Sequence, residues 1–355
     1  MSDDQHHRAA VTGAILGCAV GDALGLPYEG LSKRRGVRLL GEPDRHRFVF
    51  GRGMVSDDTE HTVMVAQALC TAPNDPERFA QELGRRLRWW LLGVPAGIGL
   101  ATLRSIVKLW LGFGPPHSGV FSAGNGPAMR SPVLGAAIDD LDVLQRFVRA
   151  STTLTHTDPK AYHGAWVTAL AAWCAKRGID TADEFFRQYR DVVQNDSSDE
   201  FESLMTNVER SVAAGESTAA FAEQIGCGRG VSGYVYRTVP VALHAWLSHP
   251  RDYRRSVDAV IRCGGDTDTT AAIVGAIVGA GVGPNGIPQA WIDGLWEWPR
   301  TVGWMKTLAA STANAIEMSE SVPAPSVFPG IGLIRNAIFF GIVLGHIARR
   351  MLPPY

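Results

Sequence analysis

Apolar residues recur along this chain at helical rather than strand spacing. Runs of about ten to twenty residues place apolar side chains three and four positions apart, and no stretch of any length alternates with a period of two. No Asn-Gly pair joins two apolar runs as a hairpin turn would. The pattern predicts an all-α, multi-helix fold. The predicted helices cover residues 10–27, 60–69, 77–92, 136–150, 160–177, 181–194, 199–213, 237–248, 252–262, 271–280 and 288–296.

Two of these helices have glycine at every fourth position, which places the glycines on one face. Such a stripe weakens an isolated helix, so it is explained only if another backbone packs against it. We therefore predict that the two helices, or their near neighbours, cross closely in the core. Both runs are shorter than the roughly 20 apolar residues of a membrane span, so a membrane helix pair is set aside. The stripes are Gly13, Gly17, Gly21 and Gly25, then Gly275, Gly279 and Gly283.

The chain divides into a predicted helical domain over residues 1–320, a Pro-rich linker over 321–330 and an apolar tail over 331–355. The tail is helical in pattern, and its uncharged part between Arg335 and Arg349 is too short for a bilayer span of roughly 20 residues. If Arg335 is tolerated near one end, Ile331 to Ala348 reaches the lower end of that range, so a span stays open. Three interpretations are open: packing on the domain, lying at a membrane surface, or contact with another chain. Packing or oligomer contact ranks ahead of membrane contact, because the rest of the chain has no membrane signal.

Composition excludes some classes of partner. The 355 residues are 46% hydrophobic and 19% charged, with a net charge of -1 and no long basic run, so nucleic acid is not expected as a partner. The five cysteines are scattered without C-x-x-C spacing, which indicates neither a disulfide framework nor a zinc site. The polar, acidic N-terminus is unlike a signal peptide. We therefore expect a cytoplasmic protein.

Two acidic clusters stand directly before apolar helices. The first acidic cluster is residues 56–59, with Ser56, Asp57 and Asp58, and the second is residues 266–269, with Asp266, Asp268 and Thr269. Each alone fits helix capping, because Ser, Asp and Thr are good caps and acids suit a first turn. Capping does not explain a pair of acids leading into an apolar helix without a basic partner, because a buried carboxylate is costly unless a cation meets it.

The donor atoms of these clusters predict a particular kind of metal. Four carboxylates and two hydroxyls are oxygen donors, with no Cys or His at ligand spacing, so Mg²⁺, Mn²⁺ or Ca²⁺ is expected rather than zinc. Four carboxylates balance two divalent ions, and Glu29 supplies a fifth. Two metals about 3.5–4 Å apart can orient a substrate oxygen and activate a water, which suits hydrolysis.

Two loops in the middle of the chain have weaker signals. Residues 121–130 are glycine-rich before a helix, and exposed N–H groups there could hold a phosphate; an ordinary turn fits equally well. His156 precedes the helix start at Asp158-Pro159. A single histidine is more often structural than a ligand-binding residue.

Five pieces in order resemble the ADP-ribosylglycohydrolase family, which includes the dinitrogenase reductase-activating glycohydrolases. They are Gly21 to Gly25 with Glu29, residues 56–59, Gly124-Asn125-Gly126 to Met129-Arg130, His156 with Asp158-Pro159, and residues 264–269. Each piece is weak alone, but five in the family's order are strong evidence. Ser56 stands where many relatives have Thr, a change that keeps the hydroxyl. The resemblance implies an all-α, orthogonal helix bundle with a binuclear Mg²⁺ or Mn²⁺ centre in a cleft.

The resemblance also implies roles for individual residues. Ser56, Asp57, Asp58, Asp266, Asp268 and Thr269 would hold two divalent cations. Glu29 would line the site near the scissile bond as a ligand or an acid-base group. The acid that protonates the leaving nitrogen would be Glu29, Asp57 or Asp58, a choice that the sequence leaves open. The loop with Gly124, Asn125, Gly126 and Met129 would hold a diphosphate, and His156 would reach the ADP-ribose. Tyr234 or Tyr236 would stack on a ring, although core aromatics explain that pair as well.

Three functions are weighed. The first is metal-dependent cleavage of the N-glycosidic bond between ADP-ribose and a protein side chain, with arginine as the expected acceptor. The second is hydrolysis of a small ADP-ribosyl compound such as O-acetyl-ADP-ribose. The third is a non-enzymatic ADP-ribose-binding protein, which the full set of ligand-capable residues at the metal positions argues against.

Overall fold

The computed structural model describes residues 3–192 and 198–351. Within those residues the chain forms eighteen α-helices and no β-strand, with only isolated bridges between loops. The prediction of an all-α fold is therefore confirmed. The first nine helices are α1 Asp3–Gly25, α2 Lys33–Leu40, α3 Asp57–Thr71, α4 Pro76–Leu92, α5 Leu100–Trp110, α6 Gly126–Met129, α7 Pro132–Ala137, α8 Leu141–Thr153 and α9 Pro159–Lys176. The others are α10 Ala182–Val192, α11 Asp199–Ala213, α12 Thr218–Gln224, α13 Val235–Ser248, α14 Tyr253–Ile261, α15 Thr267–Val282, α16 Gln289–Asp293, α17 Val302–Met318 and α18 Pro329–Arg350.

Helices α1 and α15 form the centre of the bundle and pack along each other through their glycines. A Cβ added to Gly17 would lie 2.1 Å from the carbonyl oxygen of Gly275, and one added to Gly13 would lie 1.9 Å from that of Gly279. No side chain fits at such a distance, so only glycine permits this approach. The predicted crossing of the two stripes is confirmed.

The boundaries of several helices differ from the prediction. The helix predicted over 136–150 is wrong, because the chain leaves α7 at Ile138 in an extended conformation and α8 begins after Asp140, whose side chain accepts a hydrogen bond from Val143 N at 2.8 Å. The helix predicted over 181–194 ends at Val192, and residues 193–194 lie outside the described residues. Helix α16 is shorter than predicted. Helices α2, α5, α12 and α17 were not predicted.

The linker and the tail both run along the bundle. In the linker, Val322 N donates to the carbonyl of Cys70 at 2.8 Å, and Gln67 Nε2 donates to the carbonyl of Pro325 at 2.7 Å. These bonds hold the linker along α3 and lead the chain into α18. Helix α18 then places Phe339 against Phe48 in a small apolar cluster of its own.

Candidate active site

The N-terminal ends of α3 and α15 meet the C-terminal end of α1. Gly25 ends α1 directly against α15, where a Cβ would lie 2.2 Å from the carbonyl oxygen of Thr267. Thr267 Oγ1 donates to the carbonyl of Gly25 at 2.9 Å, and Gly30 N donates to the carbonyl of Gly265 at 2.8 Å. The glycine-mediated crossing of α1 and α15 therefore also determines where the second acidic cluster lies relative to the segment that follows α1.

A hydrogen bond joins the two acidic clusters. Thr269 Oγ1 donates to Asp58 Oδ2 at 3.2 Å, and Ser56 Oγ donates to the same carboxylate oxygen at 3.1 Å. Ser56 also caps α3 by accepting from the backbone N–H of Asp58. Three of the predicted ligands thus lie in one hydrogen-bonded group, although Thr269 follows Asp58 by 211 residues in the chain.

Asp22 is a fully buried residue of this site to which no role was given from the sequence. Its carboxylate accepts from Ser56 N at 3.0 and 2.9 Å, from Thr59 N at 3.2 Å and from Thr59 Oγ1 at 2.6 Å. Burial raises the pKa of Asp22 to about 7, against the lowering effect of these hydrogen bonds. Asp22 therefore orients the first acidic cluster from behind. Its place in the Gly21-Asp22 pair was the only signal in the sequence.

The acids of the two clusters are buried close to one another. Burial is the largest cause that raises the pKa of Asp57, Asp58 and Asp268 well above the usual range, and neighbouring carboxylates raise it further. Asp58 Oδ1 and Asp268 Oδ1 are buried without a hydrogen-bond partner. Helix capping therefore gives these two oxygens no hydrogen bond, and the side chain of Asp266 forms no cap hydrogen bond either.

The acids differ in their access to the cleft. Glu29 is exposed at the wall of the cleft, and Asp57 is half-buried and lines it, whereas Asp58 lies behind and is 1% exposed. The partial burial of the Glu29 carboxyl, and then the charge of Asp266, raise the pKa of Glu29. Glu29 and Asp57 can therefore contact a substrate directly. Asp58 can act on a substrate only through a group that its carboxylate binds.

The cleft has a volume of about 590 Å³, which suits a nucleotide-sized ligand. A larger hollow of about 1010 Å³ elsewhere, around Asp139 and Lys176, contains none of the predicted site residues, so its size alone does not mark a functional site. The cleft is lined by all of the predicted site residues except Ser56, Asp58 and Tyr234; these are Glu29, Asp57, Gly124, Asn125, Gly126, Met129, His156, Asp266, Asp268 and Thr269.

The glycine loop faces the second acidic cluster across the cleft. Asn125 Nδ2 donates to Asp266 Oδ2 at 2.6 Å, and Asn125 N donates to the carbonyl of Gly233 at 3.0 Å. Gly124 N donates to Ser122 Oγ at 3.3 Å. Two of the loop's N–H groups are therefore already used, and the phosphate contact expected from the sequence would depend mainly on Gly126. Asn125 instead fixes the carboxylate of Asp266.

His156 forms the wall beneath this loop. A Cβ added to Gly126 would lie 3.3 Å from His156 Cε1, and one added to Gly124 would lie 3.1 Å from Nε2. His156 Nδ1 pairs with Thr155 Oγ1 at 2.9 Å, and burial followed by the charge of Arg130 lowers the pKa of His156 to about 3. The imidazole is therefore neutral and can donate or accept one hydrogen bond to a ligand.

Tyr234 lies next to the loop through its backbone, which forms a bridge with Gly124. Its hydroxyl pairs with Lys160 Nζ at 2.9 Å, and its ring is not among the side chains that line the cleft. Ring stacking by Tyr234 stays a prediction. Sequence reasoning also missed other lining residues, which lie on three loops and on α5. They are Gly97, Gly99, Leu100, Thr102, Ser122 and Ser232.

The residues fit a hard divalent cation by their chemistry. Within residues 3–192 and 198–351, no three Asp, Glu, His or Cys side chains already converge as an enclosed ion site. However, the two buried carboxylate oxygens without partners, beside the hydroxyls of Ser56 and Thr269, are donors that Mg²⁺ and Mn²⁺ accept. A cation there would offset the mutual repulsion of the buried acids.

Comparison with known proteins gives consistent results. A sequence profile described as ADP-ribosylglycohydrolase matches residues 2–321. The chain is 33% identical to an uncharacterized protein of Archaeoglobus fulgidus, over 79% of this chain and 90% of that protein. It is 28% identical to ADP-ribosylhydrolase ARH3 of Homo sapiens, over 79% and 87% of the two chains. It is 27% identical to ADP-ribosyl-[dinitrogen reductase] glycohydrolase of Rhodospirillum rubrum, over 82% and 90%. A solved ADP-ribosylglycohydrolase-related protein complex superposes with a TM-score of 0.63 at 25% identity, over 88% of this chain and 99% of that one.

Proposed function

The chain belongs to the ADP-ribosylglycohydrolase family, whose enzymes hydrolyse ADP-ribose linkages, and we propose that it removes ADP-ribose from arginine side chains of proteins with the help of two divalent cations. The main support is the hydrogen bond from Thr269 to Asp58, which joins both acidic clusters at a cleft of about 590 Å³. The buried, unpartnered carboxylate oxygens beside it are the second support.

The cations would be Mg²⁺ or Mn²⁺. When bound, they would polarise substrate hydroxyls and lower the pKa of a water so that it attacks at neutral pH. The residues that would hold them are Ser56, Asp57, Asp58, Asp266, Asp268 and Thr269. Asp22 and Asn125 would keep this set in place through their hydrogen bonds to Ser56 N and to Asp266.

Glu29 is the side chain that we assign as general acid. It is exposed at the cleft wall, and its raised pKa lets it hold a proton at higher pH than an ordinary glutamate. As the bond between the anomeric carbon and the acceptor nitrogen breaks, Glu29 would deliver its proton to that nitrogen. The neighbouring carboxylate of Asp57 would stabilise the positive charge that develops on the ribose.

The charge of the cleft favours a cationic acceptor. Besides Glu29, the acids Asp57, Asp266 and Asp268 line it, and a guanidinium group pairs well with carboxylates. A small conjugate such as O-acetyl-ADP-ribose would use the same ADP-ribose contacts without this pairing, and it is the second candidate. Because all five cysteines are buried free thiols, we also propose a reducing, cytoplasmic location.

The test is a substrate panel. The purified protein is incubated with protein that is ADP-ribosylated on arginine, with protein modified on serine and with O-acetyl-ADP-ribose, and free ADP-ribose is measured by chromatography. We expect the highest kcat/KM on the arginine conjugate and less than one tenth of that activity for Glu29→Gln. Faster turnover of the small compound than of either protein would favour the second candidate.

A further inference from the structure

Helix α18 lies beyond the residues that match the family. It directs its polar face to the domain and its apolar face to the outside. The profile of the family ends at residue 321, whereas α18 spans Pro329–Arg350. Every polar side chain of α18 before Arg349 is directed to the domain. Arg335 donates to Glu297 Oε2 at 2.8 Å and to the carbonyl of Val55 at 2.6 Å, Asn336 donates to that of Gly93 at 2.8 Å, and His346 pairs with that of Pro27 at 2.9 Å.

The outward face of α18 is entirely apolar. From Gly330 to Ala348 every exposed residue is apolar or glycine. The six largest side chains of this face are each 44% to 56% exposed; they are Leu333, Ile334, Ile338, Phe340, Leu344 and Ile347. Two helices of the described chain, residues 4–28 and 330–350, are long and apolar enough to cross a membrane. In an apolar window of 18 residues, 89% of the first helix is buried in the bundle but only 17% of the second. Water is an unfavourable medium for such a face.

The apolar surface continues onto the loops that hold α18. Trp296 and Trp298 flank Glu297, the partner of Arg335, and they are 54% and 47% exposed. Phe50 is 91% exposed two positions after Phe48, whose ring contacts Phe339 of the helix. Tryptophan at the margin of an apolar surface is typical of proteins that lie at the boundary of lipid and water.

A basic margin borders the C-terminal end of the helix. Arg35 of α2 donates to the carbonyl of Arg350 at 2.8 Å, so α2 lies directly beside that end. Helix α2 has the sequence KRRGVRLL without an acid, and its Lys33 and Arg34 are exposed, as is Arg349. Basic residues next to an interfacial helix favour anionic lipid headgroups.

We propose that the outer face of α18 and the adjoining tryptophans bind the surface of an anionic lipid bilayer. Contacts at both Arg335 and Arg350 hold the helix along the domain, so it would lie in the membrane plane rather than cross it. A second copy of the chain fits less well. Each copy would bring the same basic margin, and the exposed part of the face from 330 to 348 has no acid to pair with it.

The experiment is co-sedimentation of the full-length protein with sucrose-loaded vesicles, without substrate, so that it is independent of the proposed hydrolysis. One set of vesicles is phosphatidylcholine, and the other contains about one third phosphatidylglycerol. We expect binding to the anionic set. Ile338→Glu should weaken it about tenfold or more, because interfacial binding follows buried apolar area. The matched control is Met318→Glu, since Met318 is also 56% exposed but lies on α17; it should bind like the wild type.

Replacing Lys33 and Arg34 together with alanine should weaken binding to the anionic vesicles roughly thirtyfold and have little effect on the neutral set. Wild-type protein that stays in the supernatant with both vesicle sets would overturn the proposal. So would a dimer in analytical ultracentrifugation that Ile338→Glu converts to a monomer, without any vesicle binding by the wild type. In that case a second copy covers the face.

Discussion

Replacing Asp268 with asparagine should stabilise the metal-free protein and abolish its response to divalent cations. The Asp268 carboxylate is buried, one of its oxygens has no partner, and burial followed by the charge of Glu29 raises its pKa. A buried carboxylate without a counter-charge costs several kcal/mol. If asparagine removes about 3 kcal/mol of that cost, the melting temperature should rise by roughly 6 °C at about 2 °C per kcal/mol.

The same reasoning gives a pH dependence for the wild type. Burial raises the pKa of Asp22 from 3.8 to about 7. A carboxyl group with a higher pKa in the folded protein holds its proton more tightly when folded, so its ionisation destabilises the fold. Metal-free protein should therefore lose stability as the pH rises from about 4 to 7, and Asp57, Asp58 and Asp268 should extend the loss to higher pH.

The assay is thermal unfolding in chelator and in Mg²⁺ or Mn²⁺ at a series of pH values. At pH about 8 the wild type should gain stability with metal, whereas Asp268→Asn should be more stable without metal and gain little from it. The matched control, Asp183→Asn, changes an exposed acid of α10 and should behave as the wild type does. If the melting temperature of the wild type changes neither with metal nor with pH, the buried acids do not form a cation site.

Three further predictions concern other contacts. Gly126→Val should weaken ADP-ribose binding about tenfold or more by calorimetry, since its side chain would enter the cleft at the proposed phosphate contact; Gly114→Val, where nothing lies within 4 Å, should not. Gly17→Ala should lower the free energy of unfolding by about 3 kcal/mol, because its Cβ would lie 2.1 Å from the carbonyl oxygen of Gly275. A thermal unfolding curve identical to that of the wild type would contradict the close crossing of α1 and α15. Arg335→Ala should lower the free energy of unfolding by about 3–5 kcal/mol in a urea titration, because it leaves the buried carboxylate of Glu297 unpaired. A change no larger than the experimental error would show that the tail adds no stability.

Much of the fold was predictable because its signals are local. Helical periodicity and the two glycine stripes lie within single segments, and a stripe of glycines has few uses other than a close helix crossing. The break at Asp140 was missed because apolar residues on both sides have helical spacing. Only the cap formed by Asp140 shows that α8 is a separate helix.

Site residues were predictable where they belong to a recognisable motif and supply suitable donor atoms. They were less predictable where their role depends on contacts between distant segments of the chain. The acids at 57, 58, 266 and 268 were identified as oxygen donors in matching motifs. The role of Asp22 depends on how α1 crosses the start of α3, 34 residues later in the chain, and no local pattern encodes it. Likewise the inward direction of Arg335 follows from its pairing with Glu297, which the sequence of the tail does not indicate.

The most direct test of the central claim is the release of ADP-ribose from arginine-modified protein at increasing Mg²⁺ or Mn²⁺, for the wild type and for Asp268→Ala. Metal content is measured in parallel by mass spectrometry. We expect release that rises with metal and stops in chelator, and a variant that has lost both activity and bound metal. Full activity of the wild type in chelator, or of a metal-free Asp268→Ala protein, would contradict it.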